Sequence, residues 1–323
     1  MRIGTFNLES FGHTDPKAAS FEDRAAVLRP QLDRLKADVL CLQEVDARKL
    51  GGVRRAADLE RLLKSTFYAK HALIVSSGPS GTGPADVHNL AVVTRLPVIE
   101  QRTIRHIFVE PLRFRRHTAV PPDAGAVPLE WDRPLQHVVL ALPAGGQLHL
   151  FNVHLRASLA AAVPGQKAGP FAWTSVSGWA EGFFAAAVKR AGQALELRLA
   201  IEHVFNADPG AMIAVCGDFN AEDHETALRL ACAGEDDTGS GHLAPRVLTP
   251  VERTLPKDRR FTVLHHGRPE MLDHILASRE LFAHLVNVEI HNEMLEDELV
   301  AYGRIQHPPE SLHAPLVATF DFA

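Results

Sequence analysis

Short apolar runs alternate with amphipathic stretches from one end of the chain to the other, the pattern of strands interleaved with helices in an α/β protein. Strands are expected at 2–8 (RIGTFNL), 38–43 (DVLCLQ), 71–76, 89–94 (NLAVVT), 135–142, 147–153 (QLHLFNV), 211–216 (AMIAVC), 272–277 (LDHILA) and 315–322. Residues 20–36 read as a helix, with Ser20 placed to cap its start and Leu28, Leu32 and Leu35 along one face. Pro30 should kink that helix or open a second segment, because proline lacks the amide donor and its ring crowds the preceding turn. The clearest helix spans 184–205, with Leu195, Leu199 and Ile201 among its apolar positions. Loops rich in Gly and Pro punctuate the pattern at 77–86, 120–128 and 233–245. None is long enough to read as a linker, so residues 1–323 are expected to form a single domain. The stretch 156–187 fits least well. Pro164, Gly165, Gly169 and Pro170 break up a segment that holds Phe171, Trp173, Trp179, Phe183 and Phe184. It reads as an aromatic-rich insert, either a satellite core or oligomer contact, or a lid beside a ligand site.

The polar residues fall where the strands close. Asn7 and Glu9 follow RIGTF, Glu44 follows DVLCLQ, and Asn152 and His154 lie in LHLFNVHL. Asp218 and Asn220 lie in AVCGDFN, Asp273 in MLDHIL and His313 in SLHAPL. Taken singly, each is an ordinary turn former or solvated residue. Six segments with the same layout instead describe apolar strands that deliver polar groups to one shared site. The donors are mostly hard oxygens, which suit Mg²⁺, Mn²⁺ or Ca²⁺ better than zinc. No Cys-x-x-Cys pair and no His-x-x-x-His spacing argues for structural zinc, and His265 and His266, adjacent on a strand, should face opposite sides. Such a metal with two or three histidines suits hydrolysis of phosphate esters, where charge must be neutralised and water activated.

The blocks TFNLES (5–10), LQEV (42–45), FNVHL (151–155), CGDFN (216–220), LDHIL (272–276) and SLHAPL (311–316) resemble, in order, the motifs of the endonuclease/exonuclease/phosphatase superfamily. The resemblance implies the deoxyribonuclease I-like fold, a four-layer α/β sandwich of two mixed β-sheets flanked by helices. It implies a metal-dependent phosphoesterase using Mg²⁺ or Mn²⁺, with Glu44 as principal metal ligand supported by Asn7 and Glu9. By the same resemblance Asp218 orients or deprotonates the attacking water, Asn220 lies beside it, and His154 meets the scissile phosphate with Asn152 close by. Asp273 and His313 resemble a carboxylate–histidine pair in which the acid fixes the tautomer of the base. One position departs from the pattern. The last block usually reads Ser-Asp-His, and here it reads Ser311-Leu312-His313. Leucine can neither ligate nor accept, so a single metal centred on Glu44 is expected.

Composition narrows the substrate. The net charge of −5 gives no global field that would draw the chain to a polyanion, and a nuclease tracking a duplex needs many phosphate contacts. The basic candidates are local: Arg113, Arg115 and Arg116, Lys189 and Arg190, Arg259 and Arg260, and Arg156, which follows His154 by two residues and should bind the phosphate. A phosphodiesterase of nuclease-like chemistry is therefore expected, acting on a small or single-stranded phosphate ester in preference to long duplex DNA. The substrate classes left open are nucleic acid, a nucleotide and a phospholipid headgroup. The alternatives are a phosphomonoesterase or phospholipase-type hydrolase, and a non-catalytic binding relative. No obligate protein partner is inferred. No apolar run approaches the roughly 20 residues of a membrane helix. With Cys41, Cys216 and Cys232 too scattered for a disulfide framework and no secretory leader, a soluble cytoplasmic protein is expected.

Overall fold

In the computed structural model, which describes residues 1–12, 18–304 and 308–322, the N-terminal half runs β1 (Arg2–Phe11), α1 (Phe21–Leu35), β2 (Val39–Val45), a hairpin of β3 (Arg48–Leu50) and β4 (Val53–Arg55), then α2 (Ala57–Leu63), β5 (Ala72–Val75), β6 (Asn89–Thr94) and β7 (Val98–Ile104). The small pair β8 (Arg113–Phe114) and β9 (Val127–Pro128) precedes β10 (Leu135–Ala141), β11 (Gln147–His154) and the long helix α3 (Val176–Ala207). There follow β12 (Met212–Asp218), α4 (Thr226–Cys232), α5 (Glu235–Thr238), β13 (Leu248–Pro250) and the hairpin β14 (Val263–His265) and β15 (Arg268–Glu270). The chain closes with β16 (Asp273–Ser278), α6 (Arg279–Phe282), β17 (Leu285–Ile290), α7 (Glu298–Arg304) and β18 (Leu316–Phe320).

Two six-stranded sheets form, in the orders β17-β18-β1-β2-β6-β5 and β13-β16-β12-β11-β10-β7. Both are mixed: β1 and β2 are parallel, as are β11 and β12, while the other neighbours run antiparallel. Alternation along each strand sends successive residues to opposite faces. On β2, Val39 and Cys41 enter the core between the sheets, whereas Leu40 and Leu42 pack with Leu28 and Leu32 of α1. On β12, Ala214 and Cys216 join the same intersheet core, and Ile213 and Val215 pack under Leu197 and Ile201 of α3. Helix, sheet, sheet, helix: the four-layer sandwich stands.

The differences from expectation have local causes. Ser20 caps α1 by accepting from the Asp23 amide at 3.1 Å, but the helix continues through Pro30 as one element of 15 residues. Pro30 is exposed, so its ring meets solvent on the convex side of the helix, where the hydrogen bonds lengthen most easily. Helix α3 begins at Val176, capped by Ser175, so the last third of the aromatic segment is the helix's own first turns and only the part before it is irregular. His265 and His266 do not face apart: their rings lie 4.4 Å from each other. His266 stands in the β14–β15 turn with φ 51°, where strand alternation no longer applies.

Candidate active site

Strand register builds the site. On parallel β11 and β12, His154 pairs with Asp218, and on antiparallel β12 and β16, Asp218 pairs with Asp273. The three side chains therefore form a row across adjoining strand ends. Gly217 makes the row possible: with φ 145°, a Cβ there would lie 2.0 Å from the Val153 carbonyl oxygen. Just past the strand, Asn220 turns back with φ 48°, and its amide N–H and Nδ2 donate to Asp218 at 2.8 and 3.1 Å. From the other sheet, Asn7 Nδ2 donates to Asp218 Oδ2 at 3.0 Å. The end of β2 brings Glu44, whose Oε2 accepts from the amide and hydroxyl of Ser10 at 3.0 and 3.2 Å. Glu44 Oε1 lies 3.5 Å from His154 Nε2, which in turn lies 3.3 Å from Asp218 Oδ2. His313 completes the cluster by donating from Nδ1 to Asp273 Oδ2 at 2.7 Å, the short range of a charge-assisted bond.

The charges of this cluster are set by burial and by a few fixed partners. Burial alone would discharge His313, but Asp273, with Asp218 and Glu9 behind it, holds its pKa well above the ordinary imidazole range. His154 moves the other way: burial and the neighbouring Arg133 hold it below that range against the pull of Asp218 and Glu44. Arg133 Nη1 points at His154 Nε2, and a guanidinium only donates, so Nε2 is the acceptor and the proton sits on Nδ1. Burial would raise Glu44, yet His154, Arg133, His88 and His313 bring it down to about 2. Asp218 is likewise lowered, burial being outweighed by the His154 contact, the nearby imidazoles and the Asn220 amide.

Not every residue expected at the site reaches it freely. Asn152 is fully buried between the sheets: its Oδ1 accepts from Gln43 at 2.7 Å and its Nδ2 donates to the Leu42 and Ala91 carbonyls. It staples the sheets and has no atom left for a substrate. Arg156 stands at the rim in an ion pair with Asp132 at 3.2 Å, and the cation touching His154 is Arg133 instead. Glu9 is turned to the last motif, where its Oε2 accepts from the Leu312 amide at 2.7 Å and its Oε1 from the Tyr302 hydroxyl at 2.9 Å. Leu312 itself is wholly buried. Sequence reading missed Arg133, His88, Ser10 and Tyr302. His88 lies 3.8 Å from Glu44 through Nδ1, and its ring meets that of His154 edge-on.

Two sets of donors could hold a cation. One is Glu44 with the imidazoles beside it. The other is Asp218, Asp273 and His313, whose donor atoms lie within 4.8 Å of one another. In the second set His313 is charged and already bonded to Asp273. The first set has a buried polar atom with no hydrogen-bond partner, His88 Nδ1, beside an ionised carboxylate. A hard divalent ion fits there.

Two mixed sheets face to face, with carboxylates and histidines gathered at one edge, define the deoxyribonuclease I-like class of α/β sandwich. A model of the endonuclease/exonuclease/phosphatase family matches residues 4–293, and the chain belongs to that family of phosphate-ester hydrolases. Among solved structures it is similar to an AP endonuclease from Archaeoglobus fulgidus, at 17% identity and TM-score 0.53 over 99% of both chains. It is similar to truncated TDP2 from Caenorhabditis elegans, at 14% identity and TM-score 0.55 over 99% of this chain and 96% of that one. The human nocturnin catalytic domain with bound sulfate matches at 14% identity and TM-score 0.54, covering 99% and 94%. No curated protein matches the sequence. No helix among the described residues is long and apolar enough to cross a membrane.

Proposed function

We propose that this protein is a divalent-metal-dependent phosphodiesterase of nuclease-like chemistry, hydrolysing a phosphate ester by attack of water on phosphorus. The observation that carries the reading is the row of His154, Asp218 and Asp273, with His313 held on Asp273 and with Glu44 and Arg133 opposite. Asp218, kept ionised and aimed by Asn7 and Asn220, accepts a hydrogen bond from the attacking water and turns its lone pair toward phosphorus. The proton that the water sheds as its oxygen bonds to phosphorus passes to this carboxylate. His313, fixed by Asp273, presents its outer N–H to the ester oxygen that leaves. As the new O–P bond forms and the old P–O bond breaks, that proton meets the charge growing on the leaving oxygen. Arg133, its Nη1 resting on His154 Nε2, lines the phosphate's place and supplies donors to its remaining oxygens, with His154 holding the guanidinium in position.

Mg²⁺, or Mn²⁺ in its stead, supplies neutralisation of phosphate charge and stabilisation of the transition state when bound. Glu44 is its principal protein ligand, with Asn7 and Glu9 holding the neighbouring groups in place. Leu312, apolar and buried, and Glu9, occupied on both oxygens, favour one ion over two. For the substrate, a small or single-stranded phosphodiester fits the net charge of −5 and the exposed rings of Phe171, Trp179, Phe183 and Phe184, which suit stacking or packing on an apolar group. We take the whole chain to work as one domain, and its three free, buried cysteines to agree with a reducing cytoplasm. A substrate panel tests the reading: single-stranded and duplex DNA, RNA, bis-(p-nitrophenyl) phosphate, a phosphomonoester and a phospholipid, each in Mg²⁺ and Mn²⁺ with Asp218→Asn as control. Metal-dependent cleavage of a diester that Asp218→Asn abolishes is the expected result. Turnover of no phosphate ester, or turnover that survives in Asp218→Asn, overturns it.

A further inference from the structure

We propose that His88 is a nitrogen ligand of the divalent ion held at Glu44, which makes the centre a mixed oxygen–nitrogen site selective for Mn²⁺ over Mg²⁺. This rests on the metal-dependent reading above and says which ion that site prefers.

Position comes first. His88 immediately precedes β6, and antiparallel pairing of β2 with β6 sets Val45 opposite Asn89, so His88 arrives beside the end of β2 that carries Glu44. Its Nδ1 lies 3.8 Å from Glu44 Oε2. Two donors that share one six-coordinate ion at about 2.1 Å each stand roughly 3 Å apart when adjacent and roughly 4.2 Å apart when opposite. The observed spacing lies between these limits and is too long for a hydrogen bond. The two atoms are thus set for a common third partner.

Availability comes next. Three imidazoles surround this carboxylate pocket, and two are already used. His313 donates Nδ1–H to Asp273, and His154 Nε2 faces the guanidinium of Arg133. His88 Nδ1 is buried with no hydrogen-bond partner. An imidazole nitrogen left without a hydrogen bond beside a carboxylate is free to serve as a metal donor.

The backbone is committed to this placement. His88 has φ 55°, in the left-handed region that few residues with a side chain enter but that histidine enters more readily than most. Its amide donates to Asp46 Oδ1 at 3.0 Å. The next residue, Asn89, bonds through its side chain to the Val45 and Ala85 carbonyls and the Ala85 amide. Such a clamped loop aims one side chain at one place, as a preformed ligand requires.

The choice between these two ions follows from the donor. A nitrogen ligand adds affinity for a transition ion, modestly even for Mn²⁺ at the weak end of the first-row series, and adds little for Mg²⁺, which keeps to oxygen. Calorimetric titration of the apo-protein with each ion, and electron-spin-echo spectroscopy of the Mn²⁺-loaded protein, test this directly. Wild type should bind Mn²⁺ more tightly than Mg²⁺ and show nitrogen coupling to the ion. In His88→Gln the coupling should vanish and Mn²⁺ affinity should fall at least ~10-fold, while Mg²⁺ affinity changes little. Nitrogen coupling absent from wild-type Mn²⁺ protein overturns the proposal whether or not the variant folds. Mn²⁺ affinity and coupling unchanged in folded His88→Gln overturn it too, leaving the metal-dependent reading intact. Wild type that binds neither ion, or binds both unchanged after Glu44→Gln, instead refutes the metal centre itself.

Discussion

Replacing Asp273 by asparagine asks whether the carboxylate–histidine pair operates as the site geometry describes. The exchange keeps shape and volume, and the Asp273 amide can still donate to Thr262 Oγ1 at 3.1 Å, so the end of β16 should stay in place. What is lost is one negative charge at 2.7 Å from His313 Nδ1, in a position with no solvent access. Hydrogen bonds to charged groups contribute about 1.5–3 kcal/mol, a factor of roughly 10–150 if the whole effect is felt in the transition state. An asparagine can also present Nδ2 to Nδ1 and turn the ring or select the wrong tautomer, which brings the expected loss in kcat to about 10²–10⁴. The pH profile carries a second signature. Asp273 is the chief partner raising the His313 pKa. A group so raised is charged at low pH and loses its charge as pH rises through the raised value. Without Asp273 that value drops, so the alkaline limb of kcat should move to lower pH. The assay is hydrolysis of bis-(p-nitrophenyl) phosphate in saturating Mn²⁺ across pH, with circular dichroism confirming the fold. A folded variant with kcat within about threefold of wild type and an unmoved alkaline limb would refute the dyad.

Arg133→Met should lower kcat/KM about 10²–10³-fold, the usual loss when one charged donor to a reacting oxygen is removed, and normal turnover would show that Arg133 serves only His154 and the Leu155 carbonyl. Glu252→Gln should destabilise the protein, because Glu252 Oε1 lies 2.6 Å from the Nδ1 of fully buried His274, whose Nε2 donates to the Ala221 carbonyl. Stranding that imidazolium costs about 3–5 kcal/mol, or roughly 4–7 °C in Tm for a chain of 323 residues. The pair raises the His274 pKa, so its stabilisation is full below the unfolded imidazole value and fades as pH rises through the folded one. Calorimetry should therefore find the gap between wild type and variant narrowing with pH, and a pH-independent gap would contradict the ion pair. Replacing Trp179 and Phe183 together by alanine should shift Tm by no more than about 2 °C, since both rings are over two-fifths exposed, while KM for an aromatic or lipid-like diester rises severalfold. A large Tm loss with unchanged KM would make the pair a packing element.

The sequence announced the strands that are buried on both faces and the polar residues at their C-terminal ends. Among the edge strands it marked β5 but not β7, β13 or β17. In β7 and β17 most residues are exposed or half-exposed, so no apolar run marks them, and their pairing with β10 and β18 supplies what propensity does not. The missed site residues have one cause in common. Attention to where strands finish finds Glu44, His154 and Asp218, but an antiparallel neighbour brings its beginning to the same edge. The β10–β11 register pairs Gln136 with Asn152, so Arg133, just before β10, falls beside Leu155 and donates to its carbonyl at 3.1 Å. His88 reaches Glu44 in the same way from the start of β6. Asn152 shows the opposite error. Polar and near a strand end, it looks like a site residue, yet its amide answers Gln43 and two backbone carbonyls inside the sandwich.

The balance of charge explains why this arrangement calls for an ion and why a diester suits it. Glu9, Glu44, Asp218 and Asp273 outnumber Arg133, His313 and Arg24, which faces Glu9 and Glu44, while His88 and His154 stay neutral because burial and Arg133 hold them down. A phosphate approaching such a cluster unaided meets a net negative field inside a partly desolvated pocket, where repulsion is stronger than in water. One divalent cation beside Glu44 brings the count to near balance. A phosphodiester then adds a single negative charge, which Arg133 and the His313 N–H can each meet directly. A phosphomonoester adds up to two, and a centre with one ion has no further cation for the second. A second ion would have to compete for Asp218 and Asp273 with His313, which is already bonded to Asp273, and Leu312 offers it no further ligand. On the proposed one-ion reading, Leu312 would tilt the site toward diesters, and the comparison of diester with monoester in the substrate panel reads that preference directly.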